Sequence, residues 1–353
     1  MAAERVKVLV LGAGAMAATH VRFLQADGRA EVVACADVDV ARATAFAEKH
    51  GIGRAFGSLD AAIAWGGFDA ATNVTPDNAH HPTTMRLLAA GKHVLCEKPL
   101  APNYPLADEM AAAAGRVGVV NMVNLSYRNV PALRKAQKLI ASGEIGEIRH
   151  VEASYRQSWL VGNHWGDWRT DPKWLWRLSE QHGSKGVLGD VGIHILDFAT
   201  FAVGMMPVSL QAQLRTFDKA TGNRIGEYPL DANDSATMSV AFPNGALGVI
   251  HASRYMTGYG NVLKLHVFGT AGAIEIDHGL DWTEMRICSG AGVHNLAWRR
   301  LASEPVTAIH HDFITAIQGG KMAAPDFRRG ADLQRILDLC FDAKAVSAVA
   351  IPP

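Results

Sequence analysis

In the stretch His93-Val94-Leu95-Cys96-Glu97-Lys98-Pro99-Leu100, an acid, a base and a proline follow one another at the end of an apolar run. The run reads as a buried strand. In an open parallel sheet, ligands bind where strand C-termini emerge, so Lys98 is expected to face a ligand rather than bulk water. Pro99 fixes φ and removes a donor, which holds the turn in one shape. A Glu-Lys-Pro alone is an ordinary exposed turn; its weight comes from its surroundings. A second pair stands in Gly189-Asp190-Val191-Gly192-Ile193-His194-Ile195-Leu196-Asp197. If the part after Gly189 is helical, Asp190 and His194 are i,i+4 neighbours on one face, and Asp197 continues that side. A carboxylate beside an imidazole orients it and raises its basicity, which suits general-base work. Between the two motifs, Trp159, Trp165, Trp168, Trp174 and Trp176 are interleaved with His164, Arg169 and Arg177. Flat aromatic faces beside charged donors suit a polyhydroxylated ring, and the plain alternative is core or an oligomer contact.

The elements that must position these residues begin with an apolar strand at 6–11, which runs into Gly12-Ala13-Gly14-Ala15-Met16-Ala17 and then a helix carrying His20, Val21, Phe23 and Leu24. In a strand–turn–helix, Gly-x-Gly-x-x-Ala allows a tight turn, close approach of backbone to a pyrophosphate, and close helix–strand packing. The next strand, 31–36, ends at Asp37, where a carboxylate would take the ribose hydroxyls of NAD. A 2′-phosphate would meet that carboxylate as a like charge, so NAD is expected over NADP. Helices at 41–50 and 59–65, a strand at 68–74 ending in Thr75-Pro76, and a helix at 83–90 lead to the Glu-Lys-Pro strand. Beyond it the alternation stops. A helix at 131–142 is followed by strand-like runs at 148–156, 207–217, 235–242, 247–255, 263–268 and 273–276, with a hairpin signal in Pro243-Asn244-Gly245. No helix of 10–15 residues is expected between these strands, which makes the sheet mostly antiparallel. Helices around 311–318 and 331–346 close the chain.

Size and composition bound the function. At 353 residues the chain suits two domains, and 49% apolar with 19% charged residues is ordinary for a globular enzyme. Lys+Arg 34 balance Asp+Glu 34, so nothing favours a nucleic-acid partner. A strand begins almost at once after Met1, no apolar run could cross a bilayer, and no signal peptide or membrane association is expected. Cys35, Cys96, Cys288 and Cys340 lack metal spacing and fit reduced, mostly buried thiols in a cytoplasm, so no metal site is expected.

Taken together, the glycine turn, Thr75-Pro76 with His80, Gly91-Lys92-His93-Val94 leading into Glu97-Lys98-Pro99, and Asp190-x-x-x-His194 resemble the Gfo/Idh/MocA oxidoreductases over nearly the whole chain. The resemblance implies an α/β protein: an N-terminal Rossmann dinucleotide-binding domain (1–122) and a C-terminal α+β domain (123–353) with a large, mostly antiparallel open sheet. That second domain would bind substrate and build homodimers or homotetramers. Lys98, Asp190 and His194 match the family's catalytic trio. Cofactor contacts are expected from Gly12, Gly14, Ala15, Met16, Asp37, Thr75, Pro76, His80, Glu97 and Lys98. Substrate contacts are expected from Tyr127, Trp159, His164, Trp165, Arg177, Asp190 and His194. Ala17 replaces the third glycine, and Gly183-Ser184-Lys185-Gly186 stands where many relatives have a plain glycine run; the extra lysine leaves the substrate class open to anionic sugars. The implied activity is NAD-dependent oxidation of a secondary hydroxyl of a sugar, sugar derivative or cyclitol. One rival is an NAD-dependent glycoside hydrolase that oxidises the ring transiently with no net redox. A non-catalytic NAD-binding protein is another, and it would be expected to lose part of the trio.

Overall fold

The computed structural model describes residues 4–342 and 349–350, and the chain divides into two compact units. The first takes the chain up to Ser126 and again from Thr307 to Arg335. It contains β1 (Val6–Leu11), α1 (Ala15–Ala26), β2 (Ala30–Ala36), α2 (Val40–His50), β3 (Ala55–Phe56) and α3 (Leu59–Trp65). β4 (Ala70–Asn73), α4 (Asp77–Ala89), β5 (His93–Cys96), α5 (Tyr104–Val117) and β6 (Asn121–Val123) follow. All six strands are parallel, in the order β3-β2-β1-β4-β5-β6. This is the dinucleotide-binding order, and it puts every strand C-terminus on one edge. Val8, Leu9 and Val10 are wholly buried because helices cover both faces, which is why β1 is a near-continuous apolar run. Side-chain caps start the outer helices: Asp39 accepts from Arg42 N, Ser58 from Ala61 N, and Asn103 from Leu106 N.

The start of α4 is the boundary that departs most from the sequence expectation. α4 starts at Asp77 and carries Pro82 inside it, rather than beginning after that proline. Pro82 forfeits one i→i−4 bond, but the turn behind it has already nucleated the helix, so the chain tolerates the loss.

The second unit comprises residues 127–306 and the chain from Ile336. Its elements are α6 (Pro131–Ala141), β7 (Ile148–Arg156), α7 (Pro172–Leu175), α8 (Ile193–Val203) and β8 (Ser209–Arg215). A small hairpin follows, of β9 (Arg224–Ile225) and β10 (Tyr228–Pro229). Next come β11 (Ser235–Ala241), β12 (Leu247–Ser253), β13 (Val262–Gly269), β14 (Gly272–His278), β15 (Thr283–Ser289), α9 (Gly292–Asn295) and β16 (Arg299–Arg300). A nine-stranded sheet runs β16-β15-β14-β13-β7-β12-β11-β8-β17, where β17 is Val349–Ala350. Only β7 and β12 pair in parallel; the other neighbours are antiparallel. The mostly antiparallel sheet matches expectation. The absence of a 10–15-residue helix does not, because the eleven-residue α8 separates β7 from β8 and buries nearly its whole circumference.

The chain's last helices are α10 (Ile309–Gly319) and α11 (Phe327–Asp342); positions 343–346 of the expected final helix lie outside the described residues. A second domain of 123–353 is corrected at 307–335, which rejoins the first unit. There Val123 N–H donates to Pro325 O at 2.9 Å, and Phe327 N–H donates to Asn121 Oδ1 at 2.9 Å. An amphipathic helix declares a buried stripe but not the sheet that stripe covers, so the return is invisible in the pattern.

Candidate functional site

At the end of β1, Gly12 takes φ +98°, and a Cβ there would lie 2.8 Å from Val74 O, so the turn admits only glycine. Gly14 is different: a Cβ there would meet no protein atom within 4 Å. Gly14 is the N-cap of α1, and no side chain caps that helix. Ala15 and Met16 open its first turn. An uncapped helix start with open space beside a glycine has the form a pyrophosphate requires. Asp37, at the end of β2, accepts from Ala13 N at 2.8 Å, from Asp39 N at 2.9 Å and from Arg42 Nη2 at 2.6 Å. Burial works against its charge, but Arg42 and the two amides hold its carboxyl below the usual range. The same carboxylate therefore pins the glycine turn, and a carboxylate's four acceptor positions leave room for a ribose hydroxyl.

Further along the same edge, β4 ends in Thr75-Pro76 and β5 in Glu97-Lys98-Pro99. Asn73 Oδ1 accepts from Thr75 Oγ1 at 2.7 Å, fixing the first turn. Glu97 is held in a buried cluster: His20 Nε2 lies 2.9 Å from its Oε1, Asn124 Nδ2 donates to the same oxygen at 2.6 Å, and Lys98 N donates to Oε2 at 3.1 Å. Burial alone would raise this carboxyl's pKa; the His20 and Asn124 contacts bring it down to about 2. Lys98 itself is half-buried, on a backbone whose own amide is tied to its neighbour's carboxylate. The Lys98–Pro99 peptide is cis.

In the second unit, residues Leu188–Gly192 form a single π-helical turn that runs straight into α8. The expected helix after Gly189 is thus present with a wider first turn, and π turns often mark functional positions. His194 is buried on α8, and the Tyr127 ring meets it edge-on at 4.9 Å between centroids. Asp190 Oδ2 accepts from Arg254 Nη2 at 3.2 Å, with Arg177 Nε 4.0 Å away. Asp197 is locked by both arms of the Arg128 guanidinium, at 2.8 and 2.7 Å, and anchors α8. A one-way chain of hydrogen bonds surrounds Tyr127. The indole N–H of Trp159 donates to Gln157 Oε1 (3.2 Å), Gln157 Nε2 to Asn261 Oδ1 (2.9 Å), and Asn261 Nδ2 to the Tyr127 hydroxyl (3.1 Å). An indole can only donate, so it sets the sense of the chain as far as the Tyr127 hydroxyl, which is also hydrogen-bonded to that of Tyr155.

The tryptophan-rich stretch is mainly core. Trp159 is 3% exposed and Trp168 2%, clustered with Leu160, Leu175, Leu178 and Leu230. Arg254 covers the Trp159 ring at 4.9 Å and Trp174 packs on it at 5.2 Å. Trp159 is therefore corrected from an expected substrate face to a packed residue, because both its face and its N–H are already used. Trp165 stacks on Trp174 with planes 10° apart and stays half-buried, while His164 is exposed beside it at 4.9 Å. Arg177 spreads over Trp176 at 4.5 Å, next to Asp190. The exposed Lys185 lies over Phe341 at 5.7 Å. Sequence reasoning missed His20, Asn124, Arg254, Gln157 and Asn261. Only His20 carried a signal, as a histidine on the apolar stripe of α1.

A parallel sheet in dinucleotide order with an open glycine turn, joined to a mostly antiparallel sheet domain, defines a dinucleotide-binding oxidoreductase architecture. Residues 6–125 match the model of an oxidoreductase family with an NAD-binding Rossmann fold, and residues 133–275 match that of the GFO/IDH/MocA C-terminal domain. The chain belongs to the Gfo/Idh/MocA oxidoreductase family. It is 31% identical over 220 residues to levoglucosan dehydrogenase of Pseudarthrobacter phenanthrenivorans, covering 58% of this chain and 54% of that protein. To inositol 2-dehydrogenase of Rhizobium meliloti it is 28% identical over 327 residues, 91% of each chain. Among solved structures, an oxidoreductase domain protein from Kribbella flavida superposes with a TM-score of 0.86 at 27% identity, over 99% of this chain and 100% of that one. With the first of these relatives, then, the match spans only about half of the relative's length.

Proposed function

We propose that the chain oxidises a secondary ring hydroxyl of a sugar or cyclitol, passing hydride to NAD. The observation that carries this reading is the buried brace on Glu97, which fixes the backbone of Lys98 at the C-terminal edge of an NAD-family sheet. Levoglucosan dehydrogenase and inositol 2-dehydrogenase are both named for ring polyols, which supports the substrate class. Bound NAD supplies the hydride acceptor. Gly12, Gly14, Ala15 and Met16 would receive its pyrophosphate, and Asp37 its adenosine ribose. Thr75, Pro76 and Glu97 would shape the nicotinamide end; His80, expected there too, is wholly buried with both ring nitrogens against backbone carbonyls and would act only through the turns it holds. His194 takes the hydroxyl proton, with Asp190 steadying it, and the Lys98 ammonium stabilises the alkoxide as charge develops. Tyr127, Trp165, His164 and Arg177 would meet the sugar's other faces.

The Asp37 carboxylate would oppose a 2′-phosphate, so NAD is preferred over NADP in this reading. A cytoplasmic homodimer or homotetramer belongs to it as well: Leu247 and Val249 stand exposed on β12, an apolar patch that self-association would cover. Among the described residues no helix is long and apolar enough to cross a membrane.

The test is NADH absorbance with NAD and a panel of inositols, aldoses, anhydrosugars, sugar acids and glycosides, for the parent protein and Lys98→Ala. The expected result is polyol-dependent NADH in the parent and a loss of at least about 10²-fold in kcat for the variant, with NADH binding retained. Glycoside cleavage that requires NAD but forms no NADH contradicts the proposal.

A further inference from the structure

His80 is wholly buried on α4, and both of its ring nitrogens lie against backbone carbonyl oxygens: Nδ1 is 2.7 Å from Pro99 O and Nε2 is 2.8 Å from Thr75 O. Carbonyl oxygens only accept. A neutral imidazole has one N–H and one bare lone pair, so in either tautomer that lone pair would press on an oxygen at hydrogen-bond distance. Only the imidazolium supplies two donors. The two carbonyls belong to the turns that leave adjacent strands, β4 and β5, beyond the last sheet bonds, where they need partners from elsewhere. Bonds from a charged donor are roughly twice as strong as neutral ones.

We propose that His80 is a resident imidazolium that straps the Thr75-Pro76 turn to the Lys98-Pro99 turn, and so acts as a positioning residue for Lys98. The functional weight of this strap rests on the reading of Lys98 given above; its charge state does not. The ionisable groups around the ring are Asp77 on its own helix and Cys96 on β5, with Lys98 adjoining Pro99 in the chain; the Thr75-Pro76 turn contributes none. Burial opposes the charge, but Cys96, Asp77 and the Pro99 carbonyl outweigh it and raise the imidazole to about 9. A histidine buried without such partners would shift the other way. Neutralising His80 removes one donor, so one of the two turns is released. The amide of Lys98, bonded to Glu97 Oε2, is the nearest reporter of that release.

The experiment uses the full chain labelled with ¹⁵N at histidine. Long-range ¹H–¹⁵N spectra of the apoprotein, with His80 assigned by its loss in His80→Gln, read the protonation of each nitrogen directly. The expected result is two protonated nitrogens at pH 7.5, converting to the neutral pattern only near pH 9, with the protection of the Lys98 amide, its exchange rate relative to the intrinsic rate at each pH, falling through the same range. One bare nitrogen at pH 7.5 overturns the proposal, and this needs no folded variant beyond the assignment, for which His80→Asn is the substitute. Where His80→Gln folds, it is expected to lower kcat at least tenfold and to lose the wild-type decline in kcat above pH 9. Wild-type kcat in that variant, or a decline above pH 9 that persists in it, overturns the positioning role. If no polyol reduces NAD yet both nitrogens are protonated and the Lys98 amide follows them, the functional reading fails and the strap stands.

Discussion

Arg254 donates from Nη2 to Asp190 Oδ2 at 3.2 Å, a wholly buried guanidinium reaching a carboxylate that is one-third exposed. Its Nη1 donates to Arg177 O at 3.0 Å, and its face lies on Trp159. Arg254 follows directly on β12, so the large sheet sets the position of Asp190, the carboxylate that the proposed mechanism uses to steady His194. Burial lowers the guanidinium's own pKa, and the charges of Asp190 and Asp234 oppose that shift.

Removing this arginine has a defined consequence. Arg254→Met keeps much of the volume but leaves Asp190 and the buried Asp234 without its charge. Breaking a buried pair costs about 3–5 kcal/mol, and the partial exposure of Asp190 places the loss near about 3. Urea unfolding checks it; an unchanged midpoint would show that the guanidinium does not hold this carboxylate.

Acid should destabilise the protein in two windows. His310 is buried with no hydrogen-bond partner on either ring nitrogen, stacked on Phe23 at 4.9 Å and edge-on to His20 at 4.5 Å. Burial, with His20 adding to it, pushes its pKa down to about 3. The unfolded chain binds this proton first, so the stability His310 contributes is present above pH 6.5 and is lost as pH falls towards 3. Glu97 adds a lower window, from 4.5 down to about 2, as its depressed carboxyl is protonated. His310→Leu should flatten the stability curve between pH 6 and 4 and raise neutral-pH stability by about 1–2 kcal/mol, because it removes a buried polar ring without partners. Thermal melts across that range decide; a variant as acid-sensitive as the parent contradicts the assignment.

The pair Asp37–Arg42 sets up a coenzyme switch. Asp37→Ser removes the carboxylate that would repel a 2′-phosphate and frees Arg42, now held at 2.6 Å, to meet one. The ratio of kcat/KM for NADP to that for NAD should rise by about 10²-fold, equivalent to roughly 3 kcal/mol. NAD affinity should fall, because Ala13 N–H also loses its acceptor. Initial rates with both coenzymes measure this, and an unchanged ratio removes Asp37 as the discriminator.

Much of the first unit was legible because its signals are local: an apolar strand, a glycine turn and an acid at the next strand's end lie within 40 residues. Strand 148–156 was also readable to the residue, as β7 shows. What escaped were partners supplied from far along the chain. Glu97 is braced by His20, 77 positions away, and Asp190 by Arg254, 64 away. No periodicity encodes such a pairing. Trp159 misled for a related reason. Aromatic faces read the same whether they wait for a sugar or pack on one another, and only the Arg254–Trp159–Trp174 stack distinguishes the two. Pro82 misled because a proline usually marks a helix boundary, and in α4 it does not.

The most direct test of the account is to follow the hydride. A reactive polyol from the substrate panel is prepared with deuterium on its carbinol carbons, and the coenzyme formed in a single turnover is analysed by mass spectrometry. Direct oxidation of a secondary hydroxyl predicts one deuterium in the NADH, delivered to C4 of the nicotinamide, and a matching ketone in the product. Unlabelled NADH, or a cleaved glycoside that keeps its deuterium with no NADH accumulating, contradicts the account.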